Sequence, residues 1–73
     1  MNKDKLLSTL FVGIDVGSVN NFAFATDFFG NKFLSFSFIN NDPGSRILID
    51  NVLNCLKLNN LKYVVFAMES TSA

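Results

Sequence analysis

The sequence predicts an α/β domain of order β-β-β-α-β, with three antiparallel strands and a fourth strand parallel to the first. Three observations carry that prediction. Two runs of period-two alternation flank Gly30-Asn31, the pattern of a hairpin. One segment, between Asp42 and Asn59, carries apolar residues at helical spacing. A final apolar run follows it, so the helix reads as a crossover that returns the chain parallel to an earlier strand.

Residues Thr9 to Val16 read as the first strand. Leu10, Val12 and Ile14 share one face, and Phe11, Gly13 and Asp15 share the other. Both faces are largely apolar, which predicts a central strand covered on both sides. Gly17-Ser18 marks a turn. Residues Asn21 to Phe28 read as the second strand, where Phe22, Phe24, Thr26 and Phe28 alternate with Ala23, Ala25 and Asp27. Gly30-Asn31 closes a tight hairpin. Lys32 to Ile39 form the third strand, and its Ser35 and Ser37 give it a polar face suited to an edge.

Asn40 to Gly44 is a loop. Asp42-Pro43 predicts the start of a helix, with Asp as cap and Pro in the first turn. The helix extends to about Asn59, and Ile49, Val52, Leu53 and Leu56 form its expected buried stripe. Lys62 to Met68 read as the fourth strand, apolar after Tyr63 and ending at Glu69-Ser70-Thr71. Its natural neighbour is the first strand, whose other edge is taken by the second.

Size and composition bound the function. The chain has 73 residues, 49% of them hydrophobic, with nine Phe. A disordered segment is poorer in aromatics and richer in charge. A domain this small buries only roughly 60% of its unfolded surface, so the chain calls for a larger core than its length closes. The net charge is zero, and Lys3, Lys5, Lys32, Arg46, Lys57 and Lys62 are scattered. That argues against tight nucleic-acid binding by this segment alone. The lone cysteine, Cys55, excludes an internal disulfide and suits a reducing cytoplasm. With no His, zinc sites built on Cys and His are excluded by count. The N-terminal residues 1–8 read as a tail, too short and interrupted for a signal peptide or membrane span.

The topology has a chemical consequence. Asp15 ends the first strand and Glu69 ends the fourth, and parallel neighbours would set these carboxylates side by side. At about 5 Å and an effective dielectric of about 20, their repulsion is roughly 3 kcal/mol. A divalent cation removes that cost, and oxygen-only ligands point to Mg²⁺ or Mn²⁺. The alternative stands beside it: an Asp that caps a tight turn and a Glu solvated where the strand leaves the core. Asp27, before the Gly-Asn turn, reads as solvated. Asp42 and Asp50 read as helix start and solvated helix face. Cys55 reads as a small buried thiol.

The run Phe11-Val-Gly-Ile-Asp15-Val-Gly17-Ser18 resembles the first motif of RuvC-like and RNase H-like enzymes, and also the opening of sugar kinases and other actin-like ATPases. Met68-Glu69-Ser70-Thr71 resembles the second motif of the DEDD transposases of the insertion-sequence-one-hundred-and-ten family. The stretch Ala25 to Lys32 is similar to that family's second strand and hairpin. The resemblance spans about residues 10 to 72. It implies an incomplete RNase H-like (RuvC-like) domain over 9–73, truncated after the second acidic motif. It implies that Asp15 is the first acidic residue of DEDD and Glu69 the second, both ligands of catalytic magnesium. Two further Asp residues and a second domain with a nucleophilic serine have no counterpart here; Ser18, Ser70 and Thr71 are not given that role. In the family, cutting and rejoining of DNA is directed by a structured guide-type RNA. The implied partners are therefore DNA, that RNA, the rest of the transposase chain and further copies of the full-length protein, with no membrane. The fragment alone is expected to be inactive. Two other readings remain: the opening of an actin-like sugar kinase or ATPase, and a non-catalytic remnant or interaction module.

Overall fold

The computed structural model describes residues 2–70. Its elements are α1 (Lys3–Leu7), β1 (Thr9–Val16), β2 (Asn20–Thr26), β3 (Lys32–Ile39), α2 (Asp42–Leu58) and β4 (Tyr63–Ser70). The four strands form one mixed sheet in the order β3-β2-β1-β4. β1 pairs antiparallel with β2, β2 antiparallel with β3, and β1 parallel with β4. The predicted α/β order and strand directions are therefore met. No described helix is long and apolar enough to cross a membrane.

The N-terminal segment, a tail by sequence, contains the short helix α1. Five residues are too few to display a period, but Asn2 caps α1 by accepting from the Lys5 N–H at 2.9 Å. Thr9 Oγ1 donates to the Lys5 carbonyl, and the Ser8 carbonyl accepts from the N–H groups of Lys62 and Tyr63. Lys5 Nζ lies 5.7 Å from the centre of the Tyr63 ring, within cation–π range. The tail is thus tied to the start of β4.

β2 ends at Thr26 rather than Phe28 because Asp27 folds the chain. Its carboxylate accepts from the N–H groups of Phe29 and Asn31, both at 2.9 Å, and from Asn31 Nδ2 at 2.8 Å. Gly30 has φ of 85°, which a side chain would resist. Phe28 and Phe29 are left on the turn, exposed and edge to face at 5.6 Å.

Two details of α2 differ from expectation. The cap is Asn41, which accepts from the Gly44 N–H at 2.8 Å; Asp42 is the first helical residue, where its charge suits the helix dipole. The buried line is Gly44, Leu48, Val52 and Cys55, while Ile49 and Leu53 are exposed and Leu56 is half-buried. The helix has a broad apolar arc, and only the sheet beneath it selects which line of that arc is buried. Gly44 fixes the line: a Cβ there would overlap the Ile39 carbonyl, so the helix starts pressed against the end of β3. The far end closes as a Schellman motif, with Asn60 left-handed at φ 54°, Asn60 N–H donating to Lys57 and Leu61 N–H to Leu56 at 2.9 Å.

The core lies between α2 and one face of the sheet: Leu10, Val12, Ile14, Ala23, Ala25, Phe38, Leu48, Val52 and Cys55. The small Ala23 and Ala25 at the centre leave room for the helix. The expectation that β1 is covered on both sides is corrected. Phe22 and Phe24 beside it on the other face are 41% and 44% exposed, because the single long helix covers one face only. The radius of gyration, 12.5 Å, exceeds the roughly 11 Å of a compact chain this long.

Candidate metal and phosphate site on the open face

The open face can be read as rows across the strands. Register partners in adjacent strands point to the same side, so one row runs Ser37, Phe22, Asp15, Glu69. The next runs Ser35, Phe24, Gly13, Ala67. Asp15 and Glu69 are thus direct register partners at the carboxyl ends of two parallel strands. Neighbouring strands lie about 4.8 Å apart, which sets the spacing of the two Cα atoms. Both side chains are exposed and line one open depression of about 540 Å³ with Gly13, Ile14, Phe24, Ala67 and Met68. Gly13 leaves room for the Phe24 ring, which lies across it where a Cβ would stand.

The chain is turned sharply after Asp15, and two asparagines that the sequence reading gave no role hold that turn. Asn21, buried among core residues, accepts from the Gly17 N–H at 3.0 Å through its side chain. Asn40 Nδ2 donates to the Gly17 carbonyl at 2.9 Å, and Asn40 N–H donates to the Val19 carbonyl at 2.8 Å. The loop before α2 is thereby fastened to the loop after Asp15. A smaller concavity of about 140 Å³, lined by Asp15, Gly17, Asn20, Asn21, Phe22 and Ser37, adjoins it. Nothing local in the sequence signals these bonds, since Asn40 lies 23 residues from its partner.

The other acidic candidates fall elsewhere. Asp27 follows β2, whose Thr26 is the register partner of Phe11, at the opposite end of β1 from Asp15. Its hydrogen bond from the Asn31 side chain, joined by backbone N–H groups, holds its carboxyl below the ordinary value of 3.8. Asp42 and Asp50 are exposed on α2. Burial pushes the Cys55 thiol up, against a smaller opposing effect of Asn59 Nδ2 at 3.5 Å, in keeping with an inert packed thiol. Thr71, the end of the second motif, lies outside the described residues.

Two carboxylates make an oxygen-only donor pair. Among the described residues no group of three or more His, Cys, Asp or Glu comes together. The donors on offer are carboxylate oxygens, the kind that hard cations such as Mg²⁺ take, with no His nitrogen or Cys sulfur beside them. No known protein family, curated protein or solved structure is matched by this chain.

Proposed function

We propose that this chain is the N-terminal part of a DEDD transposase with an RNase H-like (RuvC-like) domain, acting in metal-dependent phosphodiester transfer during DNA transposition. The observation that carries the reading is the register pairing of Asp15 with Glu69 at the carboxyl ends of parallel strands. Open α/β sheets bind ligands at that end of their strands. Each of the two carboxylates ends an otherwise apolar strand, and side by side in register they offer oxygen donors to a single divalent cation. Asp15 and Glu69 would hold Mg²⁺ or Mn²⁺ between them. Such an ion supplies Lewis-acid polarisation of a phosphodiester and steadies the attacking and leaving oxygens. The protein's own share is positional. The β1–β4 ladder fixes the separation of the carboxylates, and Asn21 and Asn40 fix the turn beyond Asp15.

With only two carboxylates, half of such a site, the chain by itself should not cut DNA. Metal-dependent nicking by the purified 73-residue chain would overturn that statement. The reading as a whole is tested in the coding sequence downstream, read in all three frames. Two closely spaced Asp codons in a helical pattern, followed by a second domain with a candidate serine nucleophile, are expected. A second glycine-rich phosphate turn instead would make the chain the opening of an actin-like kinase. Metal binding is tested separately, by titrating Mg²⁺ and Mn²⁺ against thermal unfolding of the wild type, Asp15→Asn and Glu69→Gln. Stabilisation that persists in both variants would remove these residues from the site.

A further inference from the structure

The two ends of the sheet are unlike in charge. The lysines are scattered along the sequence, but the fold gathers them. Lys3 and Lys5 lie on α1, which leads into β1; Lys32 opens β3, Lys57 lies in the last turn of α2, and Lys62 precedes β4. Strand directions bring these places to one end of the sheet, where Thr9 pairs with Tyr63 and Thr26 with Lys32. Five of the six cationic side chains therefore stand at that end, all exposed, against two acidic ones, Asp4 and Asp27. Asp15, Asp42 and Glu69 lie at the other end. The basic end also carries the most exposed aromatic rings among the described residues. Phe28 and Phe29, 50% and 72% exposed, stand on the β2–β3 turn. That turn is braced. Asp27 N–H donates to the Asn31 carbonyl and Gly30 N–H to the Asp27 carbonyl, both at 3.1 Å, beside the three bonds to the Asp27 carboxylate. The two rings meet edge to face at 81°, so each keeps a face open to a further planar ring. Solvated turn positions ordinarily take polar residues. Two rings held out in water on a braced tip, with cations around them, form a surface that stacks bases and holds phosphates.

We infer that this basic end, with Phe28 and Phe29 at its tip, binds single-stranded nucleic acid. Charge complementarity and the open ring faces select that occupant: the lysines take the phosphates and the rings take unpaired bases. A duplex already stacks its bases on one another, so their faces are not free for the rings. Lysine acts as a point charge and Phe has no donor or acceptor, so neither reads a base edge or a sugar. DNA and RNA strands therefore bind alike, and base sequence matters little. The surface is separate from the acidic pair. Phe28 lies six residues beyond Phe22, the register partner of Asp15, which sets the tip roughly 20 Å away at about 3.3 Å per residue. Chain that continues beyond β4 leaves from the acidic end, and from the edge opposite the β2–β3 hairpin. The tip is thus not the surface that such a continuation completes.

The test is fluorescence anisotropy of labelled oligothymidylate and oligouridylate titrated with the 73-residue chain. Low salt favours the phosphate contacts. EDTA removes any cation from the acidic pair, so the result does not depend on the metal reading. Comparable binding of both strands is expected, with weaker binding of a duplex of the same length. Replacing both rings, Phe28→Ser together with Phe29→Ser, should weaken binding roughly tenfold or more. Thermal unfolding of that variant should stay close to wild type, because neither ring is in the core. Lys32→Gln should lower the log–log salt dependence by about 0.7, the value of one phosphate contact on a single strand. Arg46→Gln, near the start of α2, should leave affinity and salt dependence as they are. No binding at low salt would overturn the inference. So would affinity indifferent to loss of the two rings, or a duplex held as tightly as the single strands. Anionic lipid vesicles bound through the same two rings, with no strand bound, would assign the tip to a membrane instead.

Discussion

The two faces of the sheet divide stability from chemistry. The helix-covered face is filled by Leu10, Val12 and Ile14 of β1 against Leu48, Val52 and Cys55 of α2, with the buried Asn21 of β2 on the same side. The opposite face of the same strands carries Phe22, Phe24, Gly13 and Ala67 around Asp15 and Glu69, open to solvent. Alternation along a strand makes the division unavoidable: β1 cannot hold Ile14 in the core without turning Asp15 to the other side. A carboxylate pair is thereby kept on a rigid ladder without being buried. Asp15 and Glu69 can be close because water still solvates them.

The largest expected effect sets one face against the other. Leu10→Ala removes a fully buried side chain from the covered face and should cost about 2–5 kcal/mol. Phe24→Ala, from a ring already 44% exposed, should cost less, about 1–2 kcal/mol, despite the larger side chain. Urea unfolding of both variants checks this. Equal losses would mean that the open face is covered in solution and that both faces carry stability alike.

The second effect should have the opposite sign. In metal-free buffer, Asp15→Asn and Glu69→Gln remove a like-charge neighbour and should leave stability unchanged or slightly raised. Mg²⁺ at ten times its dissociation constant should stabilise the wild type by about 1.4 kcal/mol and neither variant. Thermal unfolding with and without Mg²⁺ measures both. Losses in metal-free buffer as large as that of Leu10→Ala would show the carboxylates to be structural.

These positions also show what the sequence can reveal. The β1 and β4 strands, their parallel pairing and the acidic pair were legible, because apolar runs ending in a single carboxylate leave few topologies that satisfy both. The end of β2 was not. Asp27 continues the alternation of Phe22 to Phe28, and only its hydrogen bonds across the turn stop the strand. Asn40, Asn41 and Asp42 are all capping residues, so the local pattern does not choose among them; the fit of Gly44 against Ile39 does. The buried line of α2 was missed for a related reason. Its apolar arc includes Ile49 and Leu53, and only packing decides which part meets the sheet. Asn21 and Asn40 act across the loop from Gly17, a relation set by tertiary structure.

A smaller effect concerns what holds the covering helix in place. Asn60 sits in the left-handed region that closes α2, and Leu61 beyond it packs on the core. Asn60→Gly, which removes the Cβ that this conformation strains, should cost nothing or stabilise slightly, and Asn60→Ala, which keeps the Cβ and loses the amide that offsets its strain, should cost about 1 kcal/mol. Urea midpoints of the two variants, compared with wild type, test whether the conformation rather than the amide is what matters. Equal losses in both would assign the effect to the Asn side chain.

The smallest effect lies at the end of the sheet remote from Asp15 and is separable by pH. The carboxyl of Asp27 is held below 3.8 by the Asn31 side chain and by backbone N–H groups of the turn. A depressed folded-state value means that the charged form is the one the turn stabilises. Its contribution is complete above the ordinary value and is lost as pH falls through the folded-state value. Asp27→Asn should therefore be slightly less stable than wild type at neutral pH, and the gap should close in acid below 3.8. The carboxylate lies on a solvent-facing turn, so the gap is small. Thermal unfolding of the pair from neutral pH into the acid range reads it directly. A gap that stays constant with pH would mean that the carboxylate's charge has no part in the turn. Mg²⁺ titrations of Asp27→Asn should match wild type, since the residue stands apart from the Asp15–Glu69 row; a lost metal response there would place metal binding at the turn and not on the open face.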